Sequence, residues 1–245
     1  LQLMDLATKN ALDPRTINPS LDAGGKIGAV VDNVVDTYHK WSDDKGTQII
    51  FLDRSTPKGK GDDKKIAEYE ALLQRRENAI QADNDEELLK VNDLLDKYDE
   101  NEMAQLITAK NGGFTAYDEI KKGLIARGIP ADEIAFIQEA ETDDEKRELF
   151  DQVNAGRVRV IIGSSRRMGA GTNIQKRLVA LHHVDAPWKP SDIEQREGRT
   201  IRQGNELYEK YGHDNFTVSI NAYVTEKTAD AKRWDTMSAK LGTIN

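Results

Sequence analysis

Val158-Arg159-Val160-Ile161-Ile162-Gly163-Ser164-Ser165-Arg166-Arg167-Met168-Gly169-Ala170-Gly171-Thr172-Asn173-Ile174 is an apolar run that gives way at once to a polar, glycine-bearing loop. The run Val158–Ile162 reads as a buried strand, short and bounded by turn residues. Open α/β sheets bind ligands at the carboxyl ends of their strands, so the loop after Ile162 is the first place to look for chemistry. Gly169 and Gly171 would let the backbone approach a ligand closely, and free amides there could hold an anion. Alone, a glycine pair is more often a plain turn.

Working outward, strands are expected at Thr47–Leu52, Ile134–Ile137, Leu178–Val184 and Phe216–Val224. Between them lie helical patterns. Ile27, Val30, Val31, Val34, Val35 and Tyr38 recur at helical spacing and end near Trp41. Phe114–Arg127 is stopped by Gly128 and Pro130, Asp143–Asn154 has Thr142 as a cap, Ser191–Arg202 has Ser191, and Thr228–Leu241 closes the chain. Strands alternating with helices of this length predict a mostly parallel sheet covered on both faces. Residues 1–25 form a lead-in, with one short helical pattern (Leu1 to Leu12) and then the breakers Asp13-Pro14 and Asn18-Pro19. The chain opens at Leu1 without methionine, which leads us to expect a piece of a longer protein.

Residues 57–112 interrupt the pattern. Pro57-Lys58-Gly59-Lys60-Gly61 opens the segment and Asn111-Gly112-Gly113 closes it. Ile66, Tyr69, Leu73, Arg76 and Ile80 alternate by three and four, as do Leu88, Val91, Leu95 and Tyr98, and Ala82-Asp83-Asn84-Asp85 between the two runs offers an N-cap to the second. The spacing predicts an inserted antiparallel helical hairpin with a narrow apolar seam. It could be a solvated spacer or a docking surface for a partner. The expected organisation is therefore 1–25 lead-in, 26–56 with 113–245 as one α/β domain, and 57–112 as an acidic insertion.

The charge supports that division. The chain has 35 Lys+Arg against 43 Asp+Glu, a net charge of −8. Asp62–Glu102 holds 14 acidic and 6 basic residues, which is the whole imbalance. An acidic total usually argues against a nucleic-acid partner, but here it argues only that the insertion is not the binding face. The 245 residues contain no cysteine, which excludes a disulfide scaffold, a thiolate zinc site and a cysteine nucleophile. A cytoplasmic location is expected, with no membrane span and no signal peptide.

A second segment carries chemistry: Gln195-Arg196-Glu197-Gly198-Arg199-Thr200-Ile201-Arg202-Gln203-Gly204-Asn205. On a helix, Arg199 and Arg202 share a face, and two guanidinium groups suit a polyphosphate. A solvated face paired with Glu194 or Glu197 is the competing reading. His182-His183 lies within a strand, so the rings point to opposite faces and no metal is expected there. Trp188 reads as a packing wedge, and Trp41 and Trp234 as core or interface residues.

Taken in order, these segments resemble the second RecA-like lobe of a superfamily 2 helicase or translocase, closest to the Swi/Snf-type ATPases. Ser165-Arg166 with Gly169, Gly171 and Asn173 resembles motif V, and Gln195 with Arg199, Arg202, Gly204 and Asn205 resembles motif VI. Gln48 to Asp53 resembles the strand of motif IV. Asp185-Ala186-Pro187-Trp188-Lys189-Pro190-Ser191-Asp192 resembles the segment joining motifs V and VI, and Tyr223 to Thr228 the closing strand and helix. Ser165 stands where threonine is common, and Met168 where glycine is. Asp13-Pro14-Arg15 and the Gln-x-x-Phe-x-Asp strand add a narrower similarity to the large helicase-plus-adenine-methylase proteins of phages and plasmids.

The resemblance implies a RecA-like three-layer lobe with a mostly parallel sheet that works with an N-terminal RecA-like lobe. It implies ATP and Mg2+ as cofactors, and DNA as partner, double-stranded favoured. Arg199 and Arg202 would be catalytic arginine fingers; Gly169, Gly171, Asn173 and Gln195 would line the ATP side; Ser165, Arg166 and Arg167 would meet nucleic acid. No G-x-x-x-x-G-K-[ST] occurs, and neither Asp85-Glu86-Glu87 nor Asp132-Glu133 follows an apolar strand. The P-loop and the acids that hold Mg2+ are thus expected on the other lobe, and this chain alone is expected not to turn over ATP. The alternative is a degenerate RecA-like binding or scaffold module without a catalytic role.

Overall fold

Apolar runs of four to six residues need cover on both faces, and the structure supplies it. The computed structural model describes residues 2–59, 61–168, 173–187 and 190–244. They divide into two compact units, Leu1–Thr56 with Phe114–Asn245 and Pro57–Gly113.

The first unit is an α/β lobe. Its elements run α1 (Gln2–Leu12), α2 (Gly25–Lys40) and β1 (Thr47–Phe51) before the insertion. The second unit holds α3 (Asp62–Gln81), α4 (Asp85–Leu95) and α5 (Glu100–Lys110). The lobe resumes with α6 (Ala116–Ala126), β2 (Ile134–Phe136), α7 (Asp143–Asn154), β3 (Val160–Gly163), β4 (Leu178–His183), α8 (Pro190–Thr200), α9 (Glu206–Tyr211), β5 (Ser219–Ala222) and α10 (Ala229–Ile244).

All five strands are parallel, in the order β2-β3-β1-β4-β5. Alternate residues of each strand enter opposite layers, as the two-residue strand period requires. Ile50, Leu52, Phe136, Val160 and Ile162 pack with Val30 and Val34 of α2 and with Tyr117, Ile120 and Leu124 of α6. Ile49, Phe51, Ile161 and Leu181 pack with Phe150 and Val153 of α7. This is the RecA-like three-layer lobe that the motif order implied. At roughly 1.5–3 kcal/mol for each fully buried aliphatic side chain, these two layers carry the lobe's cohesion.

Local signals explain the helices. Thr142 and Glu145 form a reciprocal capping box at the start of α7. The β3 strand ends at Gly163, where a Cβ would come within 2.5 Å of Ile137 and 2.8 Å of Met168. Only glycine lets the strand end and the following loop pack that closely. The chain leaves the lobe after β1 and returns at α6, where Ala116 N–H donates to Ser55 Oγ at 2.8 Å.

The lead-in also has a role. Asp13 accepts from Arg15 N–H (2.9 Å) and from Gly24 N–H (3.2 Å). Arg15 in turn donates to Glu119 (2.8 Å) and lies 4.5 Å from the centre of the Phe114 ring. The Asp-Pro-Arg triplet is therefore a fastening for the entry to α2.

Some boundaries differ from the sequence expectation. The helix expected over Ser191–Arg202 runs Pro190–Thr200, so Ser191 lies inside it rather than capping it. The last strand, expected over Phe216–Val224, is only Ser219–Ala222; Phe216 packs instead with Val179 and Leu207. Helix α9 was not foreseen: it is short and is capped by Asn205, whose side chain accepts from Leu207 and Tyr208 N–H.

In the second unit α3 and α4 correspond to the expected pair of helices, with Asn84 as the cap of α4. A third helix, α5, follows, capped by Asp99. Its Met103 and Leu106 pack with Ile66 and Tyr69 of α3, beside Leu95 and Tyr98. Because α3 is covered from two sides, its buried face shifts: Ala79 is buried, while Leu73 and Ile80 of the expected seam are exposed.

Candidate functional site

Three central strands end close together, and a polar residue follows each: Asp53 after β1, Ser165 after β3 and Asp185 after β4. Helix α8 reaches these ends through Arg196. Sequential strands leave β1 and β4 toward opposite edges of the sheet, which makes their carboxyl ends a topological switch point.

Arg196 of α8 is the centre of the site. Its side chain is only 2% exposed, and its Nη2 donates to Asp53 Oδ2 at 2.6 Å. Its Nε donates to Ser165 Oγ at 2.5 Å. The guanidinium carbon sits 5.3 Å from the centre of the Phe51 ring. Asp185 is 3.7 Å away and accepts through Oδ2 from the backbone N–H of Asp53 (2.8 Å) and Arg54 (3.1 Å). Burial, aided by the nearby Asp53 charge, pushes the Asp185 carboxyl above the ordinary carboxylate range.

Beside this cluster opens a cavity of about 390 Å³ lined by Phe51, Ser165, Arg166, Met168, Asp192, Gln195, Arg196, Arg199 and Thr200. Its lining includes the apolar Phe51 and Met168 and three arginines against one aspartate, with Arg196 already paired to Asp53. Such a lining favours an anion with several oxygens. Of the expected site residues, the structure brings Ser165, Arg166, Gln195 and Arg199 to this one cavity. Arg166 and Arg199, expected on separate faces, share it.

Others lie elsewhere. Arg202 stands past the last residue of α8, is exposed, and donates through Nε to Gly198 O at 3.2 Å. It does not line the cavity; the helix face expected to join it to Arg199 ends at Thr200. Arg167 is partly buried, with its N–H on Ser164 Oγ at 3.4 Å. Asn173 is exposed, and its carbonyl accepts from Asn154 at 2.6 Å. Gly169, Gly171 and Trp188 lie outside the described residues.

The two histidines do face opposite ways. His182 is buried between Tyr223 (2.7 Å) and Gln48 (3.0 Å), and Gln48 Nε2 donates to Val34 O (3.0 Å). Burial holds its pKa down to about 3, so it is a neutral structural bridge. His183 stacks on Phe51 at 5.5 Å between ring centres. Arg196 Nη1 approaches its Nδ1 at 3.3 Å, so that nitrogen accepts and the proton sits on Nε2, 3.3 Å from Glu197. Desolvation lowers the His183 pKa as well. Among the described residues no group of three or more His, Asp or Glu side chains could hold a metal ion. None of the described helices is long and apolar enough to cross a membrane.

Two buried, ion-paired residues of the lobe escaped the sequence reading. Arg196 stood inside a segment already noted, but its partner Asp53 is 143 positions away and gives no local signal. Lys26 pairs with Asp230, both buried, and donates to Val184 O at 3.2 Å, tying α2 and α10 to the end of β4. An isolated Gly25-Lys26 step could not have revealed that.

Comparison with known proteins follows the same lines. Residues 91–204 match the helicase conserved C-terminal domain family. The match begins within α4 and includes β2 to β4, the loop after β3 and α8. A stretch of 90 residues, 37% of this chain, is 29% identical to the defense against restriction protein B of Escherichia phage P1. That stretch is 4% of the length of the phage protein. The crystal structure of the C-terminal part of the Fun30 ATPase domain is similar with a TM-score of 0.40 and 16% identity, over 49% of this chain and 35% of that one. Residues 91–204 are thus similar to the helicase conserved C-terminal domain, and the lobe that holds most of them is a parallel sheet covered by helices on both faces.

Proposed function

We propose that this chain is the second motor lobe of an ATP-dependent DNA helicase or translocase of the Swi/Snf type. The observation that carries the reading is the shared cavity, where Arg199 and Gln195 of α8 meet Ser165 and Arg166 of the loop after β3. In this reading a first lobe holds ATP through its P-loop, and the lobe described here closes on the γ-phosphate. Arg199 then stabilises the charge that spreads over the transferred phosphoryl oxygens, a contribution typically worth about 10³–10⁵ in rate. Arg202 is the second finger candidate and would have to be drawn toward the nucleotide as the lobes close. Mg2+ would be held mainly by acids of the first lobe and would neutralise phosphate charge there.

Ser165, Arg166 and Arg167 are proposed to meet the nucleic-acid backbone, with Arg166 at the border between the nucleotide and nucleic-acid sides. Contacts of that kind are salt-sensitive and sequence-tolerant. Alternate closure and opening would step the two lobes along the duplex.

The test uses the two-lobe protein. Arg199→Ala should lower kcat for DNA-stimulated ATP hydrolysis by orders of magnitude, and Arg199→Lys should not rescue it, because ammonium lacks the planar fork. DNA affinity without nucleotide should stay nearly unchanged. Arg166→Ala should weaken DNA binding and make its salt dependence shallower by about one phosphate contact. If Arg199→Ala loses DNA affinity and keeps its turnover, the finger assignment is wrong.

A further inference from the structure

Asp53 and Arg196 form a closed ring with Ser165. Asp53 Oδ1 accepts the Ser165 backbone N–H at 2.5 Å, and Oδ2 accepts the Ser165 hydroxyl at 2.9 Å. The same Oδ2 takes Arg196 Nη2 at 2.6 Å, and Arg196 Nε returns to Ser165 Oγ at 2.5 Å. Every proton in the ring has a place: the hydroxyl donates once to Asp53 and accepts once from Arg196. The ring joins three separate stretches of chain: the turn after β1, the loop after β3, and α8. Ser165, Arg166, Arg196 and Arg199 line the cavity, whereas Asp53 does not.

We propose that Asp53 and Arg196 are positioning residues of this site. Asp53 acts through Ser165 to fix the loop that carries Arg166, and through Arg196 to fix the helix that carries Gln195 and Arg199. Arg196 is thus the buried strut of the site, and the partly exposed Arg199 is the arginine that meets the ligand. The proposal rests on the reading of the cavity as a polyphosphate site.

The sign of one mutational effect separates positioning from plain electrostatics. Asp53 places a negative charge next to a cation-rich cavity. On charge alone, Asp53→Asn would tighten anion binding. As a positioner, its loss lets the guanidinium groups drift and weakens binding, because misplacement of binding groups is costly. Arg196→Lys keeps the charge but cannot engage Asp53 and Ser165 together.

The experiment uses the 245-residue chain with inorganic tripolyphosphate as probe. Hydrogen exchange at the Ser165 amide, read by NMR, is followed in parallel with tripolyphosphate affinity and thermal midpoint. The expected result is that Asp53→Asn and Arg196→Lys each raise exchange at Ser165 about tenfold and weaken tripolyphosphate about tenfold, the scale of a hydrogen bond to a charged group. Ser165→Ala should weaken the probe less and should retain the fold, so the proposal stays testable if an Arg196 variant unfolds. Tripolyphosphate affinity unchanged or improved in Asp53→Asn overturns the positioning role. Unchanged Ser165 exchange in that variant overturns the ring itself. A wild-type chain that fails to bind tripolyphosphate overturns the reading of the cavity, and the positioning role falls with it.

Discussion

The α/β lobe and the helical insertion are held together in different ways. The lobe buries its polar groups. Arg159 is 4% exposed, lies 3.8 Å from the centre of the Tyr38 ring, and donates to the carbonyls of Gly46, Tyr38 and Trp41. His182, Lys26 and Arg196 are buried in comparable networks. The insertion has a small apolar cluster around Ile66, Tyr69, Met103 and Leu106, and keeps its ion pairs at the surface. Arg75–Glu87 at 2.6 Å and Lys110–Glu70 at 2.9 Å face solvent, and Lys65–Glu102 at 2.7 Å is half-buried. Buried polar groups must be satisfied in one geometry, while exposed pairs tolerate many. The lobe is therefore the part in which one side chain can fix another across long sequence distances.

Four measurements can break or sharpen this contrast. The largest expected effect is on catalysis: Arg199→Ala should lower ATP turnover of the two-lobe protein by about 10³–10⁵, whereas Arg75→Ala in the insertion should leave it unchanged. Equal losses would move the chemistry out of the lobe. Next comes Arg159→Ala, which removes three hydrogen bonds to backbone carbonyls, one buried and two partly buried, and should destabilise the lobe by about 3 kcal/mol in urea unfolding.

The third concerns pH. His182 is held neutral down to about 3 in the folded lobe, whereas an unfolded histidine titrates near 6.5. Between those values the unfolded state binds the extra proton, so stability falls as pH falls, by up to about 1.4 kcal/mol per pH unit. His183 is shifted the same way. The raised Asp185 works oppositely, adding stability at low pH that is lost as pH rises through its folded pKa. The clean reading is the difference between wild type and His182→Gln: the variant should lose one proton of acid sensitivity in this window. A parallel pH profile would mean that His182 is accessible to protons. The smallest effect should come from Lys90→Ala, which breaks an exposed pair with Glu86 and should cost at most about 0.5 kcal/mol. A loss as large as that of Arg159→Ala would erase the contrast.

The sheet was legible because its signals are local. Strands β1 to β4 are short, largely apolar runs, the long helices repeat at three and four, and Thr142 is a cap that announces itself. The α5 helix was harder to read, because its apolar residues make sense only once α3 is known to be covered twice. The site was legible in part. Glycines, arginines and their order drew attention to Ser165, Arg166, Gln195 and Arg199. Arg196 was passed over and Arg202 was placed on one helix face with Arg199 for one reason: spacing reports a shared helix face, but neither burial nor the helix end. The Asp53–Arg196 pair depends on β1 and α8 meeting over the sheet, which no window of sequence contains.

The Ser55–Ala116 hydrogen bond has a consequence for how the chain comes to fold. β1 is the middle strand of the sheet, yet its neighbours β3 and β4 are synthesised only after the whole insertion has emerged. A structureless excursion of that length would make the pairing entropically slow. An excursion whose two ends are pinned side by side, and which has a core of its own, behaves as a tether of a few residues once it has collapsed. By loop-closure scaling the saving is about 2 kcal/mol. An insertion that orders first would bring the later strands to the waiting β1 at that lower cost, as a relay between early and late parts of the chain.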